Sequence, residues 1–298
     1  MSEQHAPTLG PVACGTLLCP NLDTLTRAYT DYLDMQVVEE GTISSALADG
    51  WAMPQAAGLG YRLLGSKSGY NWLRIIEDPN CLPAKPIASL GWMSLEVLVE
   101  DVYALAEKLR NSPFAFIGEP KALDLSPDIE ACQVVGPAGE VLYLTTIRNP
   151  VPPFDLPMAT CEVDRLFIPV LAVPNRDEST ALYHALGSES PLNFDTKVTV
   201  VNRALGHPID QRMPVASAQL QQQNFIEVDE VVAFSARPTR PCGLCAGITM
   251  VSFMVTSLAT IKISAKGGVY QSDSITYNNQ PAALYQGTGG ELIELIQR

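Results

Sequence analysis

The sequence predicts an α+β protein of four strand-helix-strands (βαβββ) modules, paired into two tandem domains whose mixed sheets curl into cups. Three observations lead there. The order of elements restarts after a stretch containing Pro150, Pro152, Pro153 and Pro157, which reads as a linker. Landmarks recur across that linker: Pro174-Asn175-Arg176-Asp177 repeats Pro20-Asn21-Leu22-Asp23, and Tyr183 repeats Tyr29 at an offset of 154 residues. Each half also closes on a Gly-Glu-hydrophobic run, which puts Tyr143 and Glu294 at an offset of 151 residues. The chain therefore divides into an N-terminal unit over 10–148, a linker over 149–160 and a C-terminal unit over 161–298, related by an internal duplication.

Each element follows from its pattern. Residues 1–10, with His5, read as a loose leader. Val12–Cys19 reads as a strand, and the turn after it leads into a helix with Asp23 as N-cap and Leu25, Ala28, Tyr29, Tyr32 and Leu33 at helical spacing. Strands are expected at 35–39, 59–64 and 71–77. The second module starts with a strand over 92–99 and a helix opened by Glu100-Asp101, and ends with strands at 132–135 and 141–146. After the linker, strands are expected at 166–173, 197–202 and 224–228, with a long polar loop over 204–223 that carries His207. The last module has a strand at 250–255, a helix or extended piece near 258–263 and the closing strand. In that closing strand Leu292, Glu294 and Ile296 share one face, so a carboxylate lies in an apolar row, where burial is costly unless it is paired or protonated.

Composition bounds the function. With 298 residues, 47% hydrophobic and 17% charged, the chain can bury two cores. A net charge of −13 argues against nucleic-acid and anionic-membrane partners, which need a basic face. No run is long and apolar enough to span a membrane and the start carries no signal-like segment, so a cytoplasmic protein is expected. The seven cysteines show no disulfide framework, and Cys242-x-x-Cys245 lacks the second pair that a zinc site needs.

With these landmarks in place, the chain resembles the vicinal oxygen chelate superfamily, the glyoxalase, bleomycin-resistance and extradiol-dioxygenase-like proteins. The carriers are Pro20-Asn21-Leu22-Asp23 with Ala28-Tyr29, Tyr32-Leu33-Asp34-Met35, the matching 174–186 run and the two Gly-Glu closing strands. The resemblance implies two glyoxalase-like domains and a cup in which first and last strands of a module supply metal ligands, mostly His, Gln and Glu. Those positions fall on Cys14, Ser94, Ile168 and Met250 for first strands, and on Arg74, Tyr143, Glu227 and Glu294 for last strands. None is a histidine, so the resemblance supports the fold while no metal and no cofactor are expected.

The chemistry then rests on side chains. Glu227 and Glu294 are the candidate acid and base, expected to face one cavity with at least one raised pKa, and His207 is a candidate on a covering loop. Arg74, Tyr143 and Trp72, with Cys14 and Ser94, are candidate substrate-binding residues: a guanidinium fork for an anion beside aromatic faces. The expected partner is a small organic molecule, aromatic or carboxylate-bearing, and a homodimer is compatible with the sequence. Two functions stay open: a metal-independent lyase or isomerase, and a non-catalytic binding or sequestering protein.

Overall fold

The structure is a computed structural model and describes residues 6–298, so His5 lies outside the described residues. The first module comprises β1 (Leu9–Cys19), α1 (Leu22–Tyr32), β2 (Gln36–Thr42), α2 (Ser45–Gly50), β3 (Gly60–Gly65) and β4 (Leu73–Glu77). The second comprises β5 (Gly91–Val99), α3 (Val102–Leu109), β6 (Ala115–Leu123), β7 (Ser126–Val135) and β8 (Val141–Ile147). The third comprises β9 (Val163–Val173), α4 (Arg176–Ala185), β10 (Leu192–Thr196), α5 (Thr199–Leu205), β11 (Met213–Gln219) and β12 (Phe225–Glu230). The fourth has β13 (Gly247–Val255), β14 (Ala282–Gln286) and β15 (Leu292–Gln297), with a short 3-10 turn where the other modules place a helix.

The modules combine across the two halves. A seven-stranded sheet runs β14-β15-β13-β1-β4-β3-β2, joining modules one and four. An eight-stranded sheet runs β10-β11-β12-β9-β5-β8-β7-β6, joining modules two and three. In both, the two first strands pair antiparallel at the centre, β1 with β13 and β5 with β9, and each pairs in parallel with the last strand of its own module. Each sheet thus takes strands from both sides of the 149–160 segment, and neither is completed by the strands of one side alone.

A central core lies between the sheets and under the helices, built from residues such as Leu17, Tyr29, Trp72, Leu95, Leu166 and Phe253. The sheets approach closely at Gly15, where a Cβ would stand 2.9 Å from Leu95 Cδ1. The opposite face of each sheet forms a cup with its own apolar lining.

The repeated landmarks hold this arrangement together. Asn21 and Asn175, rather than Asp23, are the N-caps of α1 and α4, accepting the amides of Thr24 and Glu178. The carboxylates ending β4 and β12, Glu77 and Glu230, accept the amides of Leu22 and Arg176. The Tyr29 hydroxyl donates to Glu140 Oε1 at 3.0 Å, and Tyr183 to Glu291 Oε1 at 3.1 Å. Each pair ties a helix lying on one sheet to the closing strand of the other, which gives a physical reason for both the helix tyrosine and the Gly-Glu run to recur. Burial pushes Glu140 and Glu291 up to about 7, against the lowering effect of the tyrosine and backbone donors.

Two local expectations are corrected. The run over 197–202 was expected as a strand from its Val and Thr content; it instead supplies α5, whose Val200 and Val201 pack into the lining of the second cup, so tertiary burial overrides β-propensity. The expected loop over 204–223 contains β11, paired antiparallel with both β10 and β12.

Candidate functional site

In the first cup, between modules one and four, β4 delivers Arg74 and β15 delivers Glu294 to one buried centre. Arg74 Nη2 lies 3.3 Å from Glu294 Oε2, with both side chains almost wholly inaccessible. Ser252 Oγ donates to the same Oε2 at 2.5 Å. Glu294 Oε1 accepts from Trp51 Nε1 at 2.8 Å, Tyr270 at 2.5 Å and Tyr277 at 2.7 Å. Arg74 is used up in turn, donating to Thr16 Oγ1 at 3.1 Å and Tyr277 Oη at 2.6 Å, with its guanidinium 5.1 Å from the Trp51 ring centroid. Burial alone would push the Glu294 carboxyl up; Arg74 and the hydroxyl donors outweigh it and hold the group below the usual carboxylate range. The cup is filled by its own chain. Trp51, following α2, and the tyrosines of the 264–281 segment pack into it, and Tyr270 lies so close over Gly50 that a Cβ there would meet its ring at 2.4 Å.

The second cup, between modules two and three, is open. It holds a cavity of about 1040 Å³. Glu96 on β5, Tyr143 on β8 and Glu227 on β12 line it, beneath apolar walls that include Phe116, Phe154, Phe194 and Val200. Asp229 lies on the same face of β12, two residues on, and is fully buried. The polar atoms here are poorly satisfied. Glu96 accepts one hydrogen bond, from Thr145 Oγ1 at 2.7 Å. The Tyr143 hydroxyl, the Ser94 hydroxyl and both Asp229 carboxyl oxygens have no protein partner. No salt bridge among the described residues involves Glu96, Glu227 or Asp229. Burial, then the Glu227 charge, pushes Glu96 up to about 8; burial pushes Glu227 up to about 7 and, with the Glu227 charge, raises Asp229 well above its ordinary range.

The structure therefore separates the two expected catalytic carboxylates. Glu227 and Glu294 lie on different sheets, and only Glu227 has the raised pKa expected for an acid-base partner. Arg74 belongs with Glu294, whereas Tyr143 and Ser94 belong with Glu227. Trp72 points away from Arg74's cup into the central core, edge-on to Tyr29 at 6.5 Å. Cys14, expected to contact substrate, is instead fully buried beside Arg74, its thiol pushed up by burial to about 12 and donating to the Gly15 carbonyl. His207 follows α5, half-buried in an otherwise exposed loop outside the cavity lining, with Nδ1 unpartnered. Asn202 holds that loop back by donating to the carbonyls of Ile209 and Gln211. Sequence reasoning missed Glu96 and Asp229 as site residues. The signal was present: Asp229 sits two residues from Glu227, and Glu96 two from Ser94, the spacing of one strand face.

No protein-family model matches this sequence, and no curated protein matches it. Solved structures do. Glyoxalase I from Zea mays aligns over 96% of this chain and 92% of its own at 16% identity, with a TM-score of 0.63. A candidate dioxygenase from Bacillus subtilis aligns over 98% of this chain and 86% of its own at 12% identity, with a TM-score of 0.61. The chain has the vicinal oxygen chelate fold, shared with glyoxalase and dioxygenase-like proteins, over at least 96% of its length.

That fold implies a divalent ion held between first and last strands. The residues here do not fit one. In the first cup Glu294 already accepts five donors, one of them a guanidinium. In the second, Ile168 and Val170 occupy the cup face of β9, and the described residues include no group of three or more His, Cys, Asp or Glu side chains placed to hold a metal.

Proposed function

We propose that this protein binds a small organic molecule, aromatic or carboxylate-bearing, in the second cup, and acts on it by metal-independent acid-base chemistry of the lyase or isomerase type. The observation that carries this reading is the pair Glu96 and Glu227, two carboxyls lining one cavity and poised at about 8 and about 7. In the free protein at neutral pH Glu96 holds its proton and Glu227 exchanges readily between donor and acceptor, a division from which proton transfer to or from a substrate can start. The Tyr143 hydroxyl, unpartnered in the protein, is available to a ligand oxygen. Aromatic and aliphatic walls supply most of the contact surface, as small-molecule sites usually do.

A specific observation favours a second reading. The walls around the carboxyls are largely apolar, and binding without reaction, of the bleomycin-resistance kind, needs nothing more. Ligand screening by thermal shift, followed by turnover assays on each hit, separates the two. For an enzyme, Glu227→Gln and Glu96→Gln retain binding and lower the rate by about 100-fold or more. Hits that bind tightly but are recovered chemically unchanged support the binding protein. Hits unaffected by Glu227→Gln, Glu96→Gln and Phe116→Ala remove the second cup from consideration.

A further inference from the structure

The duplication matches the closing-strand positions of the two cups: Arg74 corresponds to Glu227 at an offset of 153 residues, and Glu294 to Tyr143 at 151. In the first cup these positions hold a cation and an anion, and the ion pair closes the site. In the second they hold Glu227 and Tyr143, while Glu96 and Asp229 add two further carboxyls and no basic side chain bonds to any of the three. The Tyr143 hydroxyl, nine-tenths buried, lines the cavity with no protein partner, and the Asp229 carboxyl, fully buried behind the lining, is unpartnered as well.

We propose that the ligand of the second cup carries a protonated amine on an aromatic or aliphatic body, and that this ammonium group sits against Glu227 and Glu96, with the Tyr143 hydroxyl as a further acceptor, in the role that Arg74 fills for Glu294 in the first cup. This rests on the reading of the second cup as the ligand site. An ammonium offers up to three donors to carboxylate and phenol acceptors. Phe116, Phe154 and Phe194 suit its body. The charged groups at the mouth are of both signs: Glu119, Asp124 and Asp195 stand with Lys121, Lys197, Arg203 and Arg212. Lys197 pairs with Asp124, Arg203 donates to the Ile117 carbonyl and Arg212 to the Asp195 carbonyl, so these three cations are anchored at the rim rather than among the floor carboxyls, and the Lys121 charge acts on Asp124 at the same rim. No histidine lines the cavity, and the other titratable groups that do are Glu96, Tyr143 and Glu227.

Glu96, and Glu227 in part, hold their protons in the free protein near neutral pH, so an ammonium ion that binds their ionised form displaces protons. Amine affinity should rise as pH increases through 7 to 8 and then level off. Calorimetry on the full chain in EDTA, with matched aromatic amines, alcohols and carboxylates (tryptamine, tryptophol and indole-3-acetate among them), tests this. The expected result is that amines bind about tenfold or more tighter than the matched alcohols. Proton release should appear as a heat that depends on the buffer's ionisation enthalpy. Glu227→Gln and Glu96→Gln should abolish the preference while alcohol binding against the apolar walls and a cooperative thermal melt persist. Alcohols or carboxylates binding the cup as well as amines would overturn the cation assignment and leave the cup as the ligand site. Amines, alcohols and carboxylates all failing to perturb the NMR signals of cup residues would overturn both.

Discussion

Removing the Arg74 side chain leaves Glu294 buried without its counter-ion, still surrounded by three hydroxyls and an indole oriented toward a charge. Truncating one partner of such a pair costs about 3–5 kcal/mol. Arg74→Met should lower stability by that order in urea denaturation, while ligand affinity in the second cup stays unchanged. The second cup has the opposite balance. Its Glu96 and Glu227 have folded-state pKa values near 8 and 7 against an ordinary 4.5, so the folded chain holds their protons more tightly than the unfolded one. Their favourable contribution is complete below pH 4.5 and is lost as pH rises through 7 to 8. Glu140, Glu291 and Asp229 act in the same direction. Glu294 acts in the reverse direction and supports the fold above its own depressed pKa. Thermal unfolding should therefore show a midpoint that falls from pH 5 to pH 8.5, less steeply in Glu96→Gln. A midpoint that rises over that interval contradicts the burial described here.

Helices α1 and α4 carry the same device, a tyrosine hydroxyl on a buried glutamate at the start of a closing strand. Losing a hydrogen bond to a buried carboxyl costs about 1–3 kcal/mol. Tyr29→Phe and Tyr183→Phe should each destabilise by that amount, and by similar amounts because the two environments repeat. Denaturant midpoints of the single and double variants check both points. The repeat made these residues visible in the sequence, since tyrosine, asparagine cap and Gly-Glu run recur at nearly one offset. What the sequence did not reveal was the contact between them, because spacing along the chain carries no information on which strand lies beside which. The α5 segment failed for another reason. Its Val and Thr run has the composition of a strand, and only the cup wall it completes makes it helical. Of the segments that fill the first cup, α2 with Trp51 stands where α5 stands in the third module, with starts 154 residues apart, but their sequences do not resemble each other, and the chain over 264–281 replaces the helix and strand of the second module, so the repeat placed neither.

At the scale of the molecule, modules one and four share one sheet and modules two and three the other. Each half alone would expose the central strands of two sheets. A fragment ending at residue 150 should not fold as a monomer; sedimentation and circular dichroism should find it unfolded or self-paired, and a cooperatively folded monomer would contradict the pairing. This cross-pairing also explains the one misplacement that mattered for function. Alternation correctly put Glu227 and Glu294 on cup faces, but a pattern of apolar and polar positions is satisfied equally by either pairing of modules, so it could not assign them to separate cups. The account rests on that separation: one cup closed by its own ion pair, the other lined by carboxyls awaiting a ligand's charge. Side-chain carboxyl carbon chemical shifts of the glutamates, followed by NMR from pH 3 to pH 9, test it most directly. Glu96 and Glu227 should titrate near 8 and 7, and an added amine should move both downward, while Glu294 remains ionised throughout the neutral range and ignores the amine. Titration of Glu294 near neutrality, or of Glu96 and Glu227 at the ordinary 4.5, would contradict it.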